Sequence, residues 1–177
     1  MKLVKFTAPG DIRGMMMLTT KDNMMYVYLP SHKRVRRVAN HVLNQGFMGT
    51  DISPDDMASS SFSKGWNAVI TKEDDDQWIL SLKPKAGRQT TYASVRLTVK
   101  KSHGQVTKLE YFSEQGKHVK TQTRDVFKMF GHVIAPTLFE FKNVLTGTKT
   151  IMEFTDLKVN NGIPKSAFTK RAILRGN

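Results

Sequence analysis

Five histidines, fifteen acidic residues and ten methionines are the groups in this chain that could hold a metal or move a proton. Their spacing argues against most such chemistry. His32, His41, His103, His118 and His132 are scattered, mostly in segments that read as turns, with no metal-ligand spacing and no nucleophile beside them. Cysteine is absent, which removes disulfides, a thiolate nucleophile, a thiolate metal site and an N-terminal lipid-modified cysteine. Asp51, Asp55 and Asp56 form an acidic turn that could suggest metal binding or acid–base work. Helix capping is the simpler role, because Ser53 is a good N-cap, Pro54 suits the first helical position, and carboxylates favour the positive helix end. The run Lys72-Glu73-Asp74-Asp75-Asp76 lacks the ligand spread and central glycine of a calcium loop and reads as a solvated hairpin tip. Met15, Met16, Met17, Met24 and Met25 supply soft thioethers, the ligand type for copper(I). Adjacent residues on a strand face opposite ways, however, so three in a row cannot converge on one ion. Ordinary core packing and a soft, adaptable apolar surface both remain open for these methionines. No catalytic residue, metal or cofactor is expected, and the chain reads as a non-enzyme.

Charge points to a partner. Lys and Arg number 28 against 15 acidic residues, a net charge of +13. Such a balance fits nucleic acid, an anionic membrane surface or an acidic protein, or serves solubility alone. The densest block is Lys33-Arg34-Val35-Arg36-Arg37-Val38. On a strand, Lys33, Val35 and Arg37 face one way and Arg34, Arg36 and Val38 the other. Arginine on both faces predicts an exposed edge or arm, and edge strands carry such charge to block stray pairing. Nucleic-acid binding would want interleaved aromatics for stacking, and none lies between Lys33 and Arg37. A nucleic-acid partner is therefore not expected, and a basic nucleic-acid-binding β domain stands only as the alternative.

The elements that must position these groups are nearly all strands. Length predicts one domain over residues 1–177. No apolar run approaches the roughly 20 residues of a membrane-spanning helix. Lys2, Lys5, Asp11 and Arg13 interrupt the stretch where a signal peptide would need its apolar core. Leu3–Phe6 reads as a short strand. Arg13–Thr20 and Met24–Leu29 pair as a hairpin, apolar at successive positions and so covered on both faces. From Trp66 onward, turn signals separate strands at Trp66–Thr71, Gln77–Leu82, Ala93–Lys100, Val106–Phe112, Val119–Phe127 (with one solvated face) and Val133–Asn143, where Pro136 suggests an edge or a bulge. Thr148–Val159 is the last long strand, Ser166–Phe168 starts a helical turn, and the basic end from Lys170 is expected to fray. About nine strands with almost no helix predict a mainly β fold, a strongly curved antiparallel sheet forming an unclosed (half) β-barrel with short helical turns. Large apolar residues recur on one strand face: Trp78, Leu80, Leu82, Leu109, Tyr111, Phe139, Phe141, Met152, Phe154. A sheet of this kind fills that face with a helix or keeps a ligand cavity.

Met24 to Met57 carries a recognisable order of parts. Tyr28-Leu29-Pro30, Arg34–Arg37 and Phe47-Met48-Gly49-Thr50-Asp51 resemble the Tyr-Leu-Pro, Arg-rich and Phe-Met-Gly-Ser-Asp segments of the outer-membrane lipoprotein-sorting protein family, the LolA-like group. Thr50 stands where serine is more usual and keeps the hydroxyl. Lys5–Gly14, Leu109-Glu110-Tyr111-Phe112 and Phe154-Thr155-Asp156 through Arg171 are similar to further segments of the family, so the likeness covers essentially the whole chain. The resemblance implies an unclosed β-barrel with helices plugging its mouth. It implies a periplasmic carrier of lipid or lipoprotein acyl chains, with an inner-membrane transporter of the resistance–nodulation–division type as partner. The acyl-binding candidates are Met15, Met17, Tyr26, Tyr28, Trp78, Leu80, Phe139 and Phe141, with Phe47 and Met48 on a flap at the rim. Arg34, Arg36 and Arg37 would meet headgroups or an acidic partner. Family members carry a signal peptide, an N-terminal helix and early strands before the segment that starts here at Lys5. An N-terminally truncated LolA-like domain is therefore expected, and a sheet edge left exposed by that truncation would favour a homodimer.

Overall fold

Strands dominate the computed structural model, which describes residues 1–21, 24–39, 46–58, 62–63, 65–88 and 90–175; the side chains of 48, 57 and 58 lie outside that description. In chain order the strands are β1 (Lys2–Lys5), β2 (Met16–Thr19), β3 (Met25–Leu29), β4 (Arg34–Arg37), β5 (Trp66–Glu73), β6 (Gln77–Pro84), β7 (Ser94–Lys100), β8 (Gln105–Phe112), β9 (His118–Phe130), β10 (Val133–Asn143) and β11 (Lys149–Glu153). The helices are α1 (Pro54–Ala58) and α2 (Lys170–Leu174). All pairings are antiparallel, in a four-stranded sheet β1-β2-β3-β4 and a seven-stranded sheet β11-β10-β9-β8-β7-β6-β5, and neither closes into a barrel. The chain divides into two compact units, Met1–Leu43 with Asn160–Asn177, and Asn44–Val159. None of the described helices is long and apolar enough to cross a membrane.

In the first unit, β2 is apolar at three successive positions, and every residue of the strand is buried. Register puts Met16 opposite Tyr28 and Leu18 opposite Tyr26, while Met17 stands opposite Val27 on the other face. The Met16–Leu18–Tyr26 face packs against Ile173 of α2, with Leu3, Tyr28, Val35 and Phe168 around it. The tail was expected to fray, and it does not. Thr169 caps α2 by accepting the Ala172 N–H at 3.1 Å, and Ile173 is fully buried. One apolar residue at the right turn of a short helix is enough to anchor it to a core. The basic block forms β4, an edge strand with its three arginines exposed, as alternating charge on both faces requires.

In the second unit one row of side chains crosses the whole sheet in register: Ile70, Leu80, Leu97, Leu109, Gln122, Phe141 and Thr150. A parallel row holds Leu82, Val95, Tyr111, Lys120 and Asn143. The rows share one face, whose core is Trp66, Leu82, Tyr92, Val95, Leu97, Leu109 and Tyr111. Between these rows the alternate positions form the opposite face, where Ser81, Arg96, Glu110 and Thr121 line up. The period-2 pattern thus sorts apolar from polar along most strands. Pro136 lies where β10 pairs with β9 alone, since β11 reaches no further than Leu138. The last strand is shorter than its alternation suggests: β11 ends at Glu153, and Thr155, Asp156 and Lys158 are exposed.

Candidate functional site

The apolar face of the seven-stranded sheet is crossed by the segment 46–58. Its entry is a tight turn, Phe47–Gly49, that needs glycine at both ends. A Cβ on Gly46 would collide with the Thr50 carbonyl oxygen, and Gly49 holds a φ of +75°. The Thr50 hydroxyl donates to the Phe47 carbonyl at 2.6 Å, which explains a hydroxyl residue at this point of the motif. Asp51 then pins the segment to β11. Its backbone N–H donates to Thr150 Oγ1 at 2.8 Å, and its carboxylate accepts from the Thr148 and Thr150 hydroxyls at 2.7 and 3.1 Å.

Capping of α1 takes the expected form, and its two carboxylates have partners beyond the cap. Ser53 Oγ accepts the Asp56 N–H at 3.3 Å, and Asp56 Oδ2 accepts the Ser53 N–H at 2.7 Å, a reciprocal capping box. The same Oδ2 accepts from Lys120 Nζ at 2.7 Å, and both side chains are buried, 1% and 9% exposed. Tyr92 donates its hydroxyl to Asp56 Oδ1 at 3.3 Å, and Asp55 accepts from the Thr90 hydroxyl at 2.6 Å. The two carboxylates of α1 therefore latch the segment onto β9 and onto Thr90 and Tyr92 in the loop before β7. Capping alone does not account for them.

Burial shapes the charges here. It raises the Asp55 carboxyl above its ordinary value, against the Thr90 hydrogen bond and the Arg88 charge that favour the anion. Burial, then the Asp56 carboxylate, lifts the phenols of Tyr92 and Tyr111 well above theirs. Tyr111 donates to Gln122 Oε1 at 3.0 Å. Burial also pulls the Arg124 guanidinium down, and its Nε–H is buried without a hydrogen bond. Arg124 stands in register with Phe139, which stands in register with Met152; the guanidinium lies 5.9 Å from the Phe139 ring centre.

Among the expected acyl-binding residues, Trp78, Leu80, Phe139 and Phe141 share this apolar face. Phe139 and Phe141 are buried, Trp78 and Leu80 half-buried. Phe154 packs edge-on against Phe139 at 5.2 Å and is half open to solvent. Phe47 is half-buried at the start of the crossing segment, and the side chain of Met48 lies outside the described residues. The four candidates of the first unit do not form one surface. Tyr26 and Tyr28 join Met16 and Leu18, with Lys170 Nζ 4.1 Å from the Tyr26 ring centre, while Met17 joins Val27 behind them and Met15 is buried just before β2. The period of two separates Met17 from Tyr26 once their register is set. A shallow depression lined by Ser81, Ser94, Arg96 and Phe112 opens on the polar face and includes none of the candidates. Sequence reasoning missed Lys120, Gln122 and Arg124. The signal was present: β9 is polar at both phases, so whichever phase faces inward brings hydrogen-bonding groups with it.

A protein-family model described as "Uncharacterized protein" matches residues 1–175. The chain belongs to that family. Its fold is that of the LolA-like proteins, as solved structures show. An outer membrane lipoprotein-sorting protein domain from Vibrio parahaemolyticus aligns with a TM-score of 0.85 at 24% identity, over 98% of this chain and 77% of that one. A DUF1329 family protein from Desulfovibrio piger gives 0.87 at 22% identity, over 97% and 75%. A LolA superfamily protein from Nitrosomonas europaea gives 0.78 at 25% identity, over 96% and 76%. Comparison with curated protein sequences gives no match. In this LolA-like fold, segment 46–58 is a cover tied across one sheet face by Asp51, Asp55 and Asp56.

Proposed function

We propose that this protein binds and carries acyl chains of a lipid or lipoprotein on the apolar face of its seven-stranded sheet, without catalysis. One observation carries the reading. The face continues past the buried core into side chains that stay partly open, Trp78, Val99, Met152 and Phe154, beside a cover held by a few polar ties. Each methylene laid on such a surface contributes roughly 0.8 kcal/mol, so a chain of ordinary length binds by area alone. The likeness to an outer membrane lipoprotein-sorting domain supports the same cargo class and a periplasmic place of work. Arg34, Arg36 and Arg37, exposed on the β4 edge, suit an anionic headgroup or an acidic surface on an inner-membrane transporter of the resistance–nodulation–division type. The β4 edge also offers a strand for self-pairing.

Native mass spectrometry of the purified protein, with organic extraction of what co-purifies, tests the carrier reading. Bound phospholipid or fatty acid is expected. Protein that stays free of lipid, and still fails to take up added fatty acid, would overturn it.

A further inference from the structure

Arg124 is a half-buried charge on the apolar face with no ion pair among the described residues. It sits on the apolar face of β9, in register between Phe139 and the strand edge where β8 has ended its pairing. Its Nε–H is buried without a partner, and among the described residues no carboxylate lies within ion-pair distance of it. Four residues earlier on the same strand face, Lys120 shows what compensation looks like: a buried amine held at 2.7 Å by Asp56. A half-buried cation with no counter-charge and an unpartnered Nε–H carries a desolvation cost, and the ring of Phe139 offsets only part of it. A guanidinium presents its donors as a planar fork matched to carboxylate or phosphate oxygens. Around it the surface is apolar and partly open, with Phe139, Met152 and Phe154 on one side.

We infer that Arg124 receives the anionic head of the cargo, a carboxylate or phosphate at the polar end of a lipid whose acyl chain lies along Phe139 and Met152. This rests on the carrier reading and narrows it, because a wholly neutral acylated group would leave the half-buried guanidinium without a counter-charge. Selectivity for charge within the apolar face is the consequence.

Oleic acid, 1-oleoyl lysophosphatidate and oleyl alcohol share one chain and differ in head group, so their affinities for the full chain, measured by displacement of a fluorescent fatty acid, test the assignment. The two anions are expected to bind about tenfold or more tightly than the alcohol, as one charge-assisted hydrogen-bonding contact provides. Whichever anion binds more tightly identifies the head group. Arg124→Gln should bring the ratio of oleate to oleyl alcohol affinity close to one, and Arg124→Lys, which keeps a point charge but not the fork, should retain part of it. Inorganic phosphate at millimolar concentration should displace neither anion, and displacement of both would assign the site to free phosphate instead. Equal binding of all three ligands to the natural chain would overturn the role of Arg124 and leave the carrier reading standing. Binding of none would overturn both.

Discussion

Replacing Lys120 by methionine should destabilise the second unit by about 3 kcal/mol. Asp56 and Lys120 are 2.7 Å apart and almost wholly buried. At an effective dielectric of about 20 their attraction is roughly 6 kcal/mol, most of it offset by the cost of taking both charges out of water. Removing one partner loses the attraction and leaves the other charge stranded, which costs about 3–5 kcal/mol in buried pairs. Asp56 would keep three donors, the Ser53 N–H, the Ser53 hydroxyl and the Tyr92 hydroxyl, so the lower end applies. Asp56→Asn combined with Lys120→Met removes both charges and should recover to within about 1 kcal/mol of the natural chain, a strongly non-additive pair. Urea unfolding followed by tryptophan emission reads the right unit, since both tryptophans, Trp66 and Trp78, lie within Asn44–Val159. A Lys120→Met loss under about 0.5 kcal/mol, the size of a surface pair, would refute the latch. So would a double variant no more stable than the single one.

Asp55 gives a pH dependence with a definite sign. Burial raises its folded value above 3.8, so the folded unit holds the proton more tightly than the unfolded chain, and its contribution is lost as pH rises from 3.8 through the folded value. Asp55→Asn, still able to accept from Thr90, should therefore gain on the natural chain as pH rises through that window; urea midpoints that keep a constant difference from pH 3 to 7 would contradict this. Trp78→Ala with Phe139→Ala should weaken fatty-acid binding at least tenfold by removing apolar area, and unchanged affinity would remove this face from the carrier reading. Ile173→Ala should cost the first unit about 2–4 kcal/mol, seen as faster hydrogen exchange at β2 and β3 amides, whereas a frayed tail would leave exchange unchanged.

Alternation made much of the fold legible beforehand. Val95, Leu97 and Val99 against Arg96, Thr98 and Lys100 define two faces without any partner strand. Met16, Met17 and Leu18 in succession already require cover on both sides, and β2 has it. Gly46 and Gly49 around Phe47 announce a turn that no other residue type could make. The acidic capping run before Met57 was equally readable, because a cap is local chemistry spanning three residues.

What alternation cannot supply is the partner across the sheet. Asp56 and Lys120 are 64 residues apart, and Asp51 reaches Thr148 and Thr150 nearly a hundred residues later. Nothing near either end marks such a pair, so a capping carboxylate and a buried counter-ion look alike in sequence. The same holds for β9, where Lys120, Gln122 and Arg124 alternate with Thr121, Thr123 and Asp125 and both phases are polar. Only register with Tyr111, Leu109 and Phe139 turns one phase toward the apolar face. The sequence by itself determined a mainly β chain, the turn at Gly46–Thr50 and the apolar side of most strands, because those follow from neighbours along the chain. Tertiary structure decided which face the segment 46–58 covers, which carboxylate is latched and that Arg124 lies on the apolar face without an ion pair among the described residues, because burial and pairing arise between residues that meet only when the sheet is formed.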